Sequence, residues 1–231
     1  GSRNTCAAAC RSCSLRPMGI YERLILPRII HLACGSSPIT KQRLKIVPLA
    51  SGRVLDVGTG SGHNLPLYDP HRVELVWGLE PNHGMRELAR HNVARSRVEL
   101  HWLDLPGEQV PLHDHSVDTV VLTFTLCTIP DWRAALAQML RVLKPGGRLL
   151  FLEHGAAPDA PVRRWQERMN AGWRRCAGGC NLNRDIPALL REAGFDIVRL
   201  ETMYLPGTPR IAGYNYWGEA IARCAAPART C

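Results

Sequence analysis

Three glycines and one glutamate are spaced so that they could hold a nucleoside. The stretch VLDVGTGSGHN leads from an apolar strand into Gly58, Gly60 and Gly62, and a helix is predicted to start directly after them. Glycines let the backbone turn tightly against a ligand, and a helix N-terminus offers free N–H groups. Glu80 ends the next predicted strand, where a carboxylate can accept both hydroxyls of a ribose. Because His63 stands where a dinucleotide-binding turn needs its third glycine, a nucleoside without a pyrophosphate fits better than NAD.

Alternating strands and helices surround this turn and must position it. Apolar strands are predicted at 53–57, 73–80, 97–103, 117–124 and 147–154. Helices are predicted at 18–33 (kinked by Pro27), 38–49, 62–69, 82–93, 131–142, 161–176 and 184–193. Near-continuous apolar strands separated by helices predict a parallel sheet covered on both faces. The segments 195–205 and 213–222 follow one another without a long helix, which predicts an antiparallel pair at the edge of the sheet.

The length of 231 residues suits one well-packed α/β domain. We expect a disordered leader or tag at 1–17, a helical lid at 18–50, the main domain at 51–222 and a flexible tail at 223–231. The sequence contains no run of 18 or more apolar residues, so no transmembrane segment is expected. The N-terminus lacks the apolar stretch of a secretory signal, and the nine cysteines do not form a disulfide pattern. A cytoplasmic protein is therefore expected.

Several stretches resemble, in order, the motifs of class I S-adenosylmethionine methyltransferases. They are VLDVGTGSG, GLEPN, GEQVPLHDHSVDTVV and RVLKPGGRLLFLEH, which span residues 53–154. The resemblance implies a Rossmann-like α/β fold with a seven-stranded, mostly parallel sheet, an antiparallel edge hairpin and helices on both faces. It implies S-adenosylmethionine as the cofactor and S-adenosylhomocysteine as the product. The residues that it places around the cofactor are Tyr21, Asp56, Gly58, Thr59, Gly60, Gly62, Asn64, Glu80, Pro81, Asn82, Gly107, Glu108 and Thr123.

The resemblance also assigns roles to parts of this set. The first loop would contact the methionine part, Glu80 the ribose, the segment before VPL the adenine, and the end of the fourth strand the sulfonium. Many members of the family carry an aspartate where this sequence has Pro106. Adenine recognition is therefore expected to depend on backbone groups and apolar contacts.

The chain is also similar to a narrower group, the methyltransferase-like 7 thiol S-methyltransferases. The similarity rests on LCT, FLEHG, GGCNLNRD and GYNYWGEA and covers roughly residues 50–220. It departs at the N-terminus, where that group carries a membrane anchor and the first apolar segment here is shorter and interrupted by Glu22, Arg23 and Arg28. A thiol acceptor needs no strong base, because a thiol with a pKa of about 8.5 is already partly ionised at neutral pH. His154 is the candidate catalytic group. The candidate substrate-binding residues are Cys127, His154, Trp165, Trp173, Tyr214 and Tyr216.

Purely structural roles are the alternative for these residues. His154 could simply bond a neighbouring loop, Cys127 could be a small buried apolar residue, and the aromatic side chains could belong to the core. Within enzymes, the alternative is a lipid-directed methyltransferase acting on a quinone precursor or on phosphatidylethanolamine. Its apolar helix at 18–33, with nearby basic residues, would make peripheral contact with an anionic membrane.

The net charge of +9 would suit an acidic partner, but the basic residues are scattered. The fourth strand reads TFTLCT, whereas enzymes that methylate base amines carry an Asn/Asp-Pro-Pro-aromatic motif there. The sequence therefore does not favour nucleic acid as a partner.

Two groups of cysteines have the spacing of metal ligands. Cys6, Cys10 and Cys13 have the spacing of an iron–sulfur motif, but they precede the nucleotide-binding fold and no strand comes before them. Cys176 and Cys180 could bind a soft metal or arsenite, although two ligands without a third make a weak site. No metal site is therefore predicted. A metal- or arsenic-binding protein without catalysis is the remaining alternative function.

Overall fold

The computed structural model describes Tyr21 and residues 25–223. The predicted leader at 1–17, which includes the N-terminal cysteine motif, lies outside the described residues. So does the predicted tail beyond residue 223. Within the described part, no helix is both long and apolar enough to cross a lipid bilayer.

The described elements follow the predicted alternation of strands and helices. The strands are β1 (Gly52–Val57), β2 (Val73–Leu79), β3 (Glu99–Leu103), β4 (Val117–Thr123), β5 (Leu143–His154), β6 (Phe195–Tyr204) and β7 (Tyr214–Ala222). The helices are α1 (Leu26–Cys34), α2 (Ser37–Arg43), α3 (His83–Arg95), α4 (Trp132–Val142), α5 (Ala160–Cys176), α6 (Ile186–Glu192) and α7 (Arg210–Gly213). Two short 3₁₀ turns lie at Val47–Leu49 and Leu65–Leu67.

The strands form one seven-stranded sheet in the order β3-β2-β1-β4-β5-β7-β6. The first five strands in this order are parallel, and β7 runs antiparallel to both β5 and β6. The predicted sheet and its antiparallel edge pair are therefore confirmed. β1 lies between β2 and β4, so the carboxyl ends of these three strands meet at one edge of the sheet.

Alternating side chains of the central strands pack on the two faces of the sheet. In β4, Val120 and Leu122 belong to one buried cluster together with Leu136 of α4, whereas Val121 belongs to a second cluster with Ile46. This alternation follows from the two-residue period of a strand. The segment before β1 therefore covers one face of the sheet near the carboxyl ends of the strands.

Two predicted helices differ from the structure. The segment 62–69, predicted as a helix, forms only the 3₁₀ turn Leu65–Leu67, because Pro66 cannot donate a backbone hydrogen bond and Gly62 adopts a φ of +75°. The helix N-terminus expected directly after the glycine turn is therefore absent. The segment 38–49, predicted as one helix, forms α2 and the separate 3₁₀ turn Val47–Leu49. The kink predicted at Pro27 stays a prediction, because residues 22–24 before it lie outside the described part.

Candidate active site

The glycine turn after β1 forms one wall of a cavity of about 230 Å³, which we call the glycine-turn cavity. Gly58 has a φ of +69° and Gly60 a φ of +58°, a left-handed conformation that side chains disfavour. A Cβ on Gly58 would lie 2.3 Å from Thr125 Cγ2. The other residues that line this cavity include Arg43, Thr59, Ser61, His63, Glu80, Asn82, Met85, Thr123 and Phe124.

Glu80 is held at the mouth of this turn. Its Oε2 accepts a hydrogen bond from the Gly60 N–H at 3.0 Å, and its Oε1 accepts one from the Asn82 N–H at 2.8 Å. Burial raises the pKa of the Glu80 carboxyl, and the two backbone hydrogen bonds oppose that shift. Because each carboxylate oxygen can accept more than one hydrogen bond, the group can still receive the hydroxyls of a ligand.

Arg43, at the end of α2, is buried in the same cavity and was missed by the sequence analysis. Its Nη1 donates to Asn64 Oδ1 at 2.7 Å and to Thr123 Oγ1 at 2.6 Å. Its Nε has no hydrogen-bond partner among the described residues. Nothing local distinguishes Arg43 among the 29 lysines and arginines, since its place in the site depends on contacts with distant residues, Asn64 after β1 and Thr123 of β4.

Asp56 supports this arrangement from within the sheet. It is fully buried at the end of β1, and both of its carboxylate oxygens accept hydrogen bonds from Asn64 Nδ2, at 3.0 and 3.1 Å. Burial raises the pKa of the Asp56 carboxyl to about 6. Asp56 and Asn64 do not line the glycine-turn cavity, so they act by positioning Arg43 and Thr123.

A second cavity of about 210 Å³, which we call the proline pocket, adjoins the first. Gly58, Glu80, Thr125 and Thr128 line both cavities. The residues that belong to the proline pocket alone are Val57, Leu79, Pro81, Pro106, Gly107, Glu108, Ile129 and Pro130. This pocket is mostly apolar, in agreement with the expectation that the residue at position 106 supplies no hydrogen bond.

A third cavity, of about 410 Å³, lies on the other side of the glycine-turn cavity; we call it the cysteine cavity. The residues that line both cavities are Leu26, Ile30, Cys34, Phe124 and Thr128. Cys127, His154, Trp173 and Cys180 line the cysteine cavity, and most of the remaining lining is apolar. Thr128 lines all three cavities, so they adjoin one another.

Cys127, His154 and Cys180 meet in the wall of the cysteine cavity. His154 Nε2 lies 3.0 Å from Cys180 Sγ, and the three ligand atoms all lie within 4.8 Å of one another. His154 Nδ1 is buried without a partner among the described residues. The hydrogen bond with Cys127, together with burial, raises the pKa of the Cys180 thiol.

The structure places several predicted site residues elsewhere. Tyr21 is 39% exposed and donates to the backbone oxygen of Cys176 at 2.8 Å, and it does not line the glycine-turn cavity. Gly62 lies outside that cavity as well, with the space beside it filled by Leu65.

Three of the aromatic residues predicted to bind substrate are also placed elsewhere. Tyr216 is buried in the core, Tyr214 packs against it, and Trp165 is 55% exposed on α5. None of the three lines the cysteine cavity. For Tyr216 the reason is the pleat of β7: successive side chains point to opposite faces of the sheet, and its neighbour Asn215 is the one that lines the cavity.

The remaining predicted residues fit an S-adenosyl group. A side chain at position 58 would collide with Thr125, so the turn that lines the cavity needs glycine there. The positive charge of Arg43 in the wall of the glycine-turn cavity suits an anionic group, and the Glu80 carboxylate beside the apolar proline pocket suits a ribose joined to a base.

Comparisons with known proteins agree with this geometry. A family model described as a methyltransferase domain matches residues 55–151. The human thiol S-methyltransferase TMT1B is 34% identical over 175 residues, which cover 71% of this chain and 71% of that protein. The ubiquinone/menaquinone biosynthesis C-methyltransferase UbiE of Geobacter sulfurreducens is 38% identical over 109 residues, or 44% of this chain and 41% of that protein.

The fold is also that of solved methyltransferases. An S-adenosylmethionine-dependent methyltransferase from Thermotoga maritima superposes with a TM-score of 0.60 at 20% identity, over 87% of this chain and 96% of the other. The predicted fold, class of activity and cofactor are therefore confirmed. The chain belongs to the class I S-adenosylmethionine-dependent methyltransferases and is related to the thiol S-methyltransferases.

Proposed function

We propose that this enzyme transfers the methyl group of S-adenosylmethionine to the sulfur of a small, largely apolar thiol. The observation that carries the proposal is the cysteine cavity, which is mostly apolar and shares part of its wall with the glycine-turn cavity. An acceptor in the cysteine cavity and a cofactor in the glycine-turn cavity would meet beside Phe124 and Thr128, which line both. The relation to the thiol S-methyltransferase TMT1B supports the same acceptor class.

Three regions of the chain would hold the cofactor. Glu80 would accept the ribose hydroxyls, and the proline pocket, with Gly107 and Glu108, would take the adenine. Arg43 would bind the carboxylate of the methionine part through its guanidinium, which Thr123 and Asn64 hold in place. The bound cofactor supplies a methyl group on a positively charged sulfur, ready for in-line displacement.

The chain's own contribution to the reaction is to position and desolvate the acceptor. Glu153 fixes the loop after β4, because its carboxylate accepts hydrogen bonds from the N–H groups of Thr125, Leu126 and Cys127 at 2.7–3.4 Å. His154, the next residue along β5, reaches the cysteine cavity and presents a polar group to the acceptor. A thiol needs little more than this, since it ionises more readily than an alcohol or an amide.

A lipid or quinone acceptor is the second candidate. The relation to UbiE supports it, but that relation covers less than half of this chain. A second observation is the apolar surface of α1, where Ile29 is 50% exposed and Leu32 is 73% exposed. Ile29 also lines the cysteine cavity, so an acceptor embedded in a membrane could enter along this helix.

The test compares the two candidates in one assay. Purified enzyme and S-adenosylmethionine are offered an apolar thiol, a quinol precursor and phosphatidylethanolamine vesicles, and the methylated products are identified by mass spectrometry. S-methylation of the thiol with little turnover of the other two supports the proposal. Methylation of the quinol or the lipid alone would transfer the function to the second candidate.

A further inference from the structure

We propose that Cys127, His154 and Cys180 form a binding site for a thiophilic divalent cation, Zn²⁺, whose open coordination position faces the cysteine cavity. The acceptor sulfur would occupy that position as a thiolate. The zinc site itself is inferred from geometry alone, while the role of the open position rests on the proposed function. The site departs from the prediction of no metal, because Cys127 and His154 are distant in sequence from Cys180 and only the fold brings them together.

The three ligand atoms are already close to zinc geometry. In a tetrahedral zinc site, bonds of about 2.3 Å to sulfur and about 2.0 Å to nitrogen place neighbouring ligand atoms about 3.5–3.8 Å apart. Here His154 Nε2 and Cys180 Sγ are 3.0 Å apart, and no pair among the three exceeds 4.8 Å. Movements of about 1 Å, within reach of side-chain rotation, would complete the geometry.

Two of the ligands are fixed by the surrounding backbone. The N–H of Cys127 donates to Glu153 Oε2 at 3.4 Å, and its carbonyl oxygen accepts from Asn181 N at 2.9 Å and Asn181 Nδ2 at 2.8 Å. The same asparagine follows Cys180 directly, so one residue ties both cysteine segments together. His154 ends β5, paired with Asn215 of β7. Metal sites depend on such outer contacts to orient their ligands.

Cys180 Sγ is contacted by two ring nitrogens, and Cys127 Sγ lies within 4.8 Å of it. Trp173 Nε1 donates to Cys180 Sγ at 3.4 Å, and His154 Nε2 approaches the same sulfur from another side. Two cysteine sulfurs and one imidazole nitrogen are the ligand types that zinc prefers.

Three protein ligands leave one position open, the pattern of catalytic and not of structural zinc sites. All three residues line the cysteine cavity, so the open position faces the space assigned to the acceptor. A thiol bound to zinc is deprotonated outright. The site would therefore generate the nucleophile without a separate general base, and His154 would serve as a ligand.

The reaction balances along this route. The acceptor thiol and the two cysteines each release a proton to solvent when they bind Zn²⁺. A lone pair of the acceptor sulfur forms the new bond to the methyl carbon, and the electron pair of the broken bond stays on the sulfur of the cofactor. The products are a thioether and S-adenosylhomocysteine. The neutral thioether binds zinc more weakly than the thiolate and leaves.

The first experiment measures metal binding in the full-length, reduced protein. Zn²⁺ is titrated against a chromophoric chelator, and Co²⁺ is added separately to record its sulfur-to-cobalt absorption and tetrahedral bands. We expect one Zn²⁺ per chain at the site. In C180S and in H154A the affinity for Zn²⁺ should fall by at least about 100-fold, since loss of a residue that only orients a ligand already lowers metal affinity by about 10- to 100-fold. Binding of S-adenosylhomocysteine, measured by calorimetry, verifies that both variants are folded.

Two control variants distinguish this site from other cysteines. The triple variant C6S/C10S/C13S removes the N-terminal motif, and C176S removes an exposed thiol of α5 that is not one of the three ligands. Both should keep the zinc affinity and the cobalt spectrum. Absence of stoichiometric binding, or binding that is lost in the triple variant and survives in C180S, would overturn the proposed site.

The second experiment tests the open position. Addition of an apolar thiol should shift the cobalt absorption, and removal of zinc by a chelator should lower the rate of thiol methylation by at least about tenfold. Full activity of the zinc-free enzyme on a thiol would refute the metal's role and leave the proposed function intact. A bound metal in an enzyme that methylates no thiol would refute the proposed function and leave the site intact. An unchanged cobalt spectrum in the presence of a thiol would overturn the assignment of the open position.

Discussion

The role of Arg43 gives the sharpest prediction about cofactor binding. Arg43 lines the glycine-turn cavity, and its buried guanidinium is held there by Asn64 and Thr123, which accept hydrogen bonds from Nη1. A hydrogen bond to a charged group is worth about 1.5–3 kcal/mol. At about 1.4 kcal/mol per factor of ten, Arg43→Gln should weaken S-adenosylhomocysteine by about 10- to 150-fold.

A truncated ligand makes this prediction specific. Methylthioadenosine keeps the base and the ribose but lacks the amino-acid part, so Arg43→Gln should change its affinity by less than about twofold. Calorimetric titration of both ligands into both proteins completes the comparison. Equal losses for the two ligands would refute the reasoning, because they would show that Arg43 acts through the fold. No loss for either ligand would refute it as well.

Four further predictions follow from the same contacts. Glu80→Gln should weaken S-adenosylhomocysteine and methylthioadenosine alike by about tenfold or more in calorimetry, because both ligands contain the ribose; a loss for only one ligand would contradict the ribose assignment. Gly58→Ala should lower the free energy of unfolding by about 2–5 kcal/mol, from a left-handed φ and a 2.3 Å approach to Thr125. Gly60→Ala should lower it by only about 1–2 kcal/mol, because its nearest neighbour is a flexible methionine 3.3 Å away, and equal losses in urea titration would argue against this. Burial lowers the pKa of His63 to about 4 in the folded protein, below its value of about 6.5 in the unfolded chain. As the pH falls from about 6.5 to 4, the unfolded chain therefore takes up a proton that the folded protein does not, and the free energy of unfolding decreases. In His63→Gln this decrease should be smaller by roughly 1–2 kcal/mol, a value reduced for partial solvent exposure, and identical pH profiles of unfolding for the two proteins would contradict the prediction. Ala212→Phe should raise KM for the thiol by about tenfold through filling the cysteine cavity, with the affinity for S-adenosylhomocysteine unchanged; an unchanged KM would show that the acceptor binds elsewhere.

The sequence predicted best what depends on neighbouring residues. The strand β1, the glycine turn and Glu80 lie close together along the chain, and each has a local signature of apolar runs, glycine spacing or position at a strand end. The helix predicted at 62–69 is wrong for a local reason too, since Pro66 interrupts the segment and only a 3₁₀ turn forms there.

The parts that the sequence did not predict depend on packing between distant segments. Arg43 becomes a site residue only because the fold brings the end of α2 against Asn64 and against Thr123 at the end of β4. Tyr216 was predicted to bind substrate, but the register of β7 against β5 pairs Asn215 with His154 and turns Tyr216 into the core. A shift of one residue would reverse this, and composition alone does not define the register.

The most direct test of the account is methyl transfer to a matched pair of acceptors. The enzyme is incubated with S-adenosylmethionine that carries a deuterated methyl group, together with benzenethiol or phenol, and the product is analysed by mass spectrometry. The two acceptors share their shape and apolar character and differ in the atom that is methylated. We expect the label on the sulfur of benzenethiol, with little or none on phenol. Labelled phenol at a comparable rate, or no label on benzenethiol while S-adenosylhomocysteine binds normally, would contradict the assignment of a thiol to the cysteine cavity.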